Sequence, residues 1–358
     1  MKKEIPNRIF SGDHREGHVQ GIAVDTERGF VYYSFTTSLV KTDLAGNLIG
    51  SVVKLAGHLG CITYDADANA VYGSLELKHD VIGAGIISRT GWDPSSEDAF
   101  YLVAFDVDKI DRPNMDAETD GVMRAVWLGD VVRDYLATDE ASGKKHRYGC
   151  SGIDGTGYGP VFGADAESEK KIMVSYGVYS ENDRADNDYQ LILQYSKSTI
   201  DRYALPLNQE NPHHSGPETA ERRYFFYTGN TSYGIQNLEY DAHSRNWFAA
   251  VYRGKKETFT NFPMFVIDGT KAPVVQPLRG RNGETGAVLT SAKLGTVGKN
   301  SEIWGVEFPY GSTGMASLGD GTFCFSQQSA NKVEKTFSST VVKYRFSPVS
   351  PQLFTEEK

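Results

Sequence analysis

The sequence is poor in cysteine: Cys61, Cys150 and Cys324 are the three in 358 residues. None stands in the C-x-x-C spacing of a zinc site, and an odd count leaves no complete disulfide framework. Each falls in a strand-like apolar stretch at an equivalent place in a repeat described below, so buried free thiols are expected. Basic clusters are equally scarce. The formal net charge is −9, spread along the chain, which excludes a general nucleic-acid binder, because that function gathers Lys and Arg to displace counterions from phosphate. The same sign excludes docking on an anionic membrane surface. No apolar run is long enough to cross a bilayer. Behind Lys2 and Lys3 there is no apolar core of a signal peptide, so the expected location is the cytoplasm. The G-x-S-x-G and H-E-x-x-H patterns are both missing. The glycines of Gly152-Ile-Asp-Gly-Thr-Gly-Tyr-Gly159 lack the following helix that a phosphate loop needs.

What is plentiful is aromatic residues and glycine. Twenty Tyr, 18 Phe and 37 Gly, against 13 Pro, suit pleated sheets joined by tight turns. One phrase recurs. His18-Val-Gln-Gly-Ile-Ala-Val-Asp25, a polar turn ending in Gly29, and Phe30-Val-Tyr-Tyr-Ser-Phe35 read as a hairpin. The phrase returns at His58–Asp65 with Ala70–Leu75. Looser copies lie at Gly149–Ile153, at Gly234–Asp241 with Asn246–Ala250, and at Gly311–Met315 with Thr322–Phe325.

The first unit supplies strands near 20–25, 30–36, 39–44 and 48–54, which is one four-stranded antiparallel blade. The second gives 61–65, 70–77, 99–105 and 123–128, with a short helix-like stretch at Asp130–Ala137. The third starts at Tyr148 and continues through 171–179, 189–195 and 223–227. The fourth gives 234–241, 246–253, 263–268 and 273–278. The fifth gives 311–318, 322–327 and 340–346, its last strand coming from 352–355 or from Arg8–Gly12. Insertions fall near 78–98, 109–122, 181–188 and 201–220, where loops tolerate them. No linker composition divides the chain, so one domain over 1–358 is expected.

A lone four-stranded sheet cannot bury both its apolar faces, and stacking blades around an axis solves this. The expected fold is therefore an all-β propeller of five blades, each of four antiparallel strands. Six or seven blades is the alternative count, because the repeat spacing is uneven. Small residues gather near the inner-strand centre, including Gly21, Ala23, Gly60, Cys61 and Gly314. The chain as a whole resembles β-propellers. Within that group, the blade count and a central polar site are similar to the calcium-activated nucleotidases (apyrases), and the resemblance implies Ca²⁺ near the axis. The family's inner-strand carboxylates would fall near Gln20, Gly60, Ser151, Gln236 and Thr313, none of which is acidic. The likeness is thus architectural, and it assigns no catalytic residue.

In a propeller, the start of each first strand and the end of each second strand share one face of the disc. First-strand starts carry His18, His58, Tyr148, Tyr233 and Tyr310, and second-strand ends and the loops beyond carry Glu76, Asp80 and Arg253 among others. Imidazole titrates near neutral pH, so His18 and His58 are candidate metal ligands or general bases, or else they cap their strands. Glu76 would supply a carboxylate and Arg253 would neutralise an anionic group. Gln20, Ser151, Gln236 and Thr313 suit neutral hydrogen bonding to a sugar or phosphate ester, or to channel water. Asp154 and Glu239 are candidate ligands for a divalent cation such as Ca²⁺.

Two functions follow from this map. One is a polar ligand-binding site at the channel mouth acting as a metal-assisted hydrolase of a phosphoester or glycan. The other is a non-catalytic propeller that recognises a partner protein or a small ligand across the same face.

Overall fold

The computed structural model describes residues 2–93, 97–140, 142–229, 231–299, 301–349 and 352–358. Part of the expected insertion at 78–98, residues 94–96, lies outside them. Five antiparallel-rich sheets form a ring, and the chain is a five-bladed β-propeller. The inner strands are Val19–Asp25, His58–Asp65, Ile153–Pro160, Ile235–Asp241 and Met315–Ser317. Each packs on the next, and Met315–Ser317 returns to Val19–Asp25. The core is correspondingly divided. One apolar cluster fills each gap between neighbouring blades, as where Tyr32 and Leu39 of the first blade meet Leu59 and Leu75 of the second.

Close approach at the axis explains the small residues there. A Cβ on Gly21 would come within 2.8 Å of the Ile62 amide nitrogen, and one on Gly60 within 2.9 Å of the Asp154 carbonyl oxygen. Asn237 ties three blades together across the axis, donating to the carbonyls of Gln20 at 2.8 Å and Ser312 at 3.1 Å.

Both chain ends close the ring. Arg8–Phe10 pairs with residues 340–342 of the strand Thr336–Phe346, and Phe354–Glu356 pairs with residues 344–346 of that strand. The two candidates for the last strand of the fifth blade therefore share one edge, and Arg8 and Glu356 form an ion pair.

Two expectations need correcting. Val274–Pro277 does not complete the fourth blade. It pairs with Thr285–Val288, which runs parallel to Arg222–Tyr227, so both strands extend the third blade to six. The added strands pack tightly on that blade: a Cβ on Gly286 would come within 2.5 Å of the Phe225 ring. The cysteines are buried and free, but they are not equivalent. Cys61 lies on an inner strand, Cys150 follows the 3₁₀ turn Arg147–Gly149, and Cys324 lies on the second strand Thr322–Asn331.

Candidate functional site

A bulge interrupts the pairing of the first four inner strands, between Val19 and Gly21, Leu59 and Ile62, Ile153 and Thr156, and Ile235 and Asn237. Aligning the bulges makes Gln20, Gly60, Asp154 and Gln236 equivalent. The sequence phrase had placed Ser151 in that set, so the third repeat is shifted by three residues. One carboxylate thus stands at the inner-strand position that looked wholly neutral.

Gln20, Asp154 and Gln236 open into a cavity of about 260 Å³ at one end of the inner strands. His18, Gln20, His58, Glu76, Asp154 and Gln236 all line it, as does Ser151. His58 and Glu76 face each other in strand register. The Asp154 Oδ2 accepts from Gln236 Nε2 at 3.0 Å, while its Oδ1 lies 3.5 Å from His58 Nδ1. Glu76 Oε1 also lies 3.5 Å from His58 Nδ1, and Glu76 Oε2 accepts the Ile153 amide at 2.9 Å. His58 Nδ1 is buried and has no hydrogen-bond partner among the described residues.

A cation is built into the wall. Lys78 Nζ lies 3.0 Å from Glu76 Oε1 and 3.1 Å from Asp80 Oδ2, and donates to the Ser151 carbonyl at 2.9 Å. Asp80 in turn caps the helix Val81–Thr90, its Oδ1 accepting the amides of Ile82 and Gly83 at 3.0 Å each. Gly91, at φ 70°, ends the helix in the left-handed conformation that suits glycine. Val81, Ile82, Gly85, Ile86 and Arg89 recur at helical spacing and form the roof of the cavity.

Burial dominates the electrostatics. It raises the pKa of Glu76, against the pull of Lys78, and pushes Asp154 up to about 6. It lowers both histidines. His58 goes down despite Glu76, and His18 falls to about 4, helped by the fields of His58 and Arg89. Burial also opposes the Lys78 ammonium, but Glu76 and Asp80 outweigh it and hold Lys78 charged. His18 is therefore neutral at pH 7. Its Nε2 lies 3.0 Å from Gln20 Nε2, an amide donor, so the ring accepts there and the assigned tautomer carries its proton on Nδ1.

Other candidates lie elsewhere. Arg253 is exposed and pairs with Glu307. Tyr148 follows the shift of the third repeat: it is buried in the 3₁₀ turn, with its hydroxyl on Glu284. Tyr233 stands behind the wall, edge-on to Tyr179 and Tyr252, which do reach the cavity. Tyr310 packs on Phe308 and Tyr344, and Thr313 is buried outside the lining. Glu239 opens into a different cavity with Asp25 and Tyr240, and accepts the Ser317 amide at 2.8 Å. The bulge register sets it three positions beyond Asp154, roughly 10 Å along an extended strand, so the two cannot share an ion. Glu76 and His58 replace Glu239: the ligand atoms of His58, Glu76 and Asp154 all lie within 4.8 Å of one another.

Sequence reading missed Lys78 and Arg89. The signal for the helix was present, since Asp80 precedes Val81-Ile-Gly-Ala-Gly-Ile-Ile and Gly91 follows, but its two internal glycines disguised it as a loop.

Fold and cavity define the class as a five-bladed propeller with a cavity lined by polar and charged residues of its inner strands. No protein-family model matches the chain, and no curated protein matches it. Among solved structures, a functionally unknown protein from Desulfotomaculum acetoxidans DSM 771 is similar at 9% identity and a TM-score of 0.35, over 95% of this chain and 69% of that one. A Trichoderma reesei protein of Carbohydrate-Active Enzymes Family AA12 is similar at 10% identity and a TM-score of 0.41, over 89% of this chain and 80% of that one.

Proposed function

We propose that the protein is a metal-assisted hydrolase of a small phosphoester or glycan, working in the cavity formed around His58, Glu76 and Asp154. The observation that carries this reading is the unpartnered Nδ1 of buried His58, set 3.5 Å from an oxygen of each carboxylate. Ligand atoms bound at about 2.1 Å to one small divalent cation stand roughly 3.0–3.5 Å from each other. A nitrogen among the donors favours a transition ion such as Mn²⁺ or Zn²⁺ over Ca²⁺. Lys78 already balances one carboxylate, so affinity is expected to be modest, with Kd on the order of 10⁻⁴ M.

Such an ion supplies Lewis acidity. The chain's own groups do the rest. Asp154 would offer the ion the oxygen beside His58, and its other carboxylate oxygen, which Gln236 orients, accepts the proton of the attacking water. The water oxygen bonds to phosphorus or to the anomeric carbon, the ester or glycosidic bond breaks, and the departing oxygen receives the proton that Asp154 took from the water. Gln20 and Gln236 orient the substrate through amide groups that carry no charge.

Calorimetric titration with Mn²⁺ and Zn²⁺, together with turnover of p-nitrophenyl phosphates and glycosides, tests the reading. Wild type should bind one ion and turn over one substrate class. His58→Ala and Asp154→Asn should each lower kcat/KM by about 10²-fold or more. A wild type that binds neither ion and turns over neither class overturns the proposal.

A second reading, recognition without catalysis, is favoured by the exposed apolar groups at the same rim. Val81 is 87% exposed and Tyr179 43% exposed. Binding of an oligosaccharide or peptide that survives His58→Ala, with no turnover by wild type, would support it.

A further inference from the structure

The hydrolase reading leaves open what the substrate carries besides its scissile bond. Arg89 addresses this. It is the last cavity-facing residue of the helix Val81–Thr90, and it forms no ion pair or hydrogen bond among the described residues. Other arginines of the chain are engaged, including Arg28 with Asp25 and Asp108, Arg223 with Asp134, and Arg281 with Asp139. A guanidinium presents a planar fork of donors matched to paired anionic oxygens.

Its position is built as well as free. Gly17, at φ 96°, passes directly beneath it, and a Cβ there would come within 2.8 Å of Nη1 and 2.3 Å of Thr36 Oγ1. The field of Arg89 reaches both His18 and His58, so it faces the space they enclose. Asp80 caps the opposite end of the same helix. Nine residues at 1.5 Å rise separate the two by roughly 13 Å. The mouth is therefore polarised, with carboxylates and Lys78 under the helix start and at its end one cation that feels the field of Glu16 but makes no ion pair with it. Ile82 and Ile86 lie between.

Resting on the hydrolase reading of this cavity, we infer that its ligand bears an anionic oxygen group, a phosphate or a carboxylate, received by Arg89 beside His18. The reacting end then reaches toward His58 and Asp154. The role that the sequence map gave to Arg253 belongs to Arg89, because Arg253 is spent on Glu307 at the surface.

The test uses inorganic phosphate and acetate as probes, titrated into the full chain while the ring resonances of His18 and His58 are followed by NMR. In wild type one of the anions should shift the His18 ring, phosphate pointing to a phosphorylated ligand and acetate to a carboxylated one. Arg89→Gln should weaken that anion at least tenfold, Arg89→Lys should restore part of the loss, and Arg253→Gln should change nothing. Arg89→Gln should bind Mn²⁺ at least as tightly as wild type, because it removes a positive charge whose field reaches His58. Anion binding that Arg89→Gln leaves intact, or imidazoles that respond to neither probe in wild type, overturns the inference. Loss of Mn²⁺ binding in wild type with anion binding preserved would count against the hydrolase reading alone.

Discussion

Glu76 and Lys78 lie two residues apart on the chain, and their charged atoms meet at 3.0 Å inside the cavity wall with both side chains buried. Lys78 is the cation paired with buried Glu76, whereas Lys78 itself is also held by Asp80 at 3.1 Å. Lys78→Met should destabilise the fold by about 3–5 kcal/mol, because it leaves a buried carboxylate without its counter-charge. Adding Glu76→Gln should recover part of that loss. Urea unfolding of both single variants and the double variant measures the coupling, and strictly additive effects would show that the pair is not energetically linked.

Gly60 connects the axis to the site, since a methyl group there meets Ser74 Oγ at 2.4 Å and the Asp154 Cα at 3.0 Å. Gly60→Ala should cost about 1–3 kcal/mol by overpacking. It should also displace Asp154 from Gln236, so cation affinity falls along with the melting temperature. A destabilised variant with unchanged cation affinity would separate the axis from the site.

Asp80 caps the helix that forms the roof of the cavity. Asp80→Asn keeps an acceptor for the Ile82 and Gly83 amides but removes the charge near Lys78, whereas Asp80→Ala removes both and should cost about 1 kcal/mol more through the cap. Amide exchange at Ile82 and Gly83 should quicken markedly in the alanine variant and little in the asparagine variant. Equal exchange in the two would show that the cap contributes nothing to holding the roof.

Stability should fall on both sides of a middle pH range, for different reasons. Burial raises Glu239 to about 8, so its contribution is full below the unfolded value of about 4.3 and is lost as pH rises through 8. Burial lowers His18 to about 4, so its contribution is full above about 6.5 and is lost as pH falls through 4. Glu239→Gln should flatten the alkaline limb and leave the acid limb in place, and His18→Gln should do the reverse. Melting temperatures measured from pH 4 to pH 9 decide the matter, and a Glu239→Gln profile that keeps the wild-type alkaline slope would assign that slope to another group.

Much of the site was legible in part. His18 and His58 share a repeat position, and that symmetry placed them at one mouth, as found. Glu76 followed from strand pairing, because it stands opposite His58. Asp154 was recognised as a carboxylate near the axis but was matched with Glu239, for a specific reason: the phrase Gly149–Ile153 imitates the inner-strand start, while the pairing begins only at Ile153. The imitation also misled the placing of Tyr148 and Ser151. Ser151 reaches the cavity all the same, because its carbonyl receives Lys78. Counting from the strand end puts Arg253 at the mouth, but the pairing stops at Val251 and Arg253 reaches Glu307 at the surface.

Alternation of apolar and polar residues, Gly-closed turns and the recurring phrase were enough to determine five sheet units, since those features act over a few neighbouring residues. Which side chains would converge was decided only when the sheets closed on one another. That outcome depends on bulge register and on backbones passing within van der Waals distance across blades, and no local stretch of sequence encodes either. Closure thus removed Glu239 and Arg253 from the mouth and brought Lys78, Arg89 and Asp154 into it.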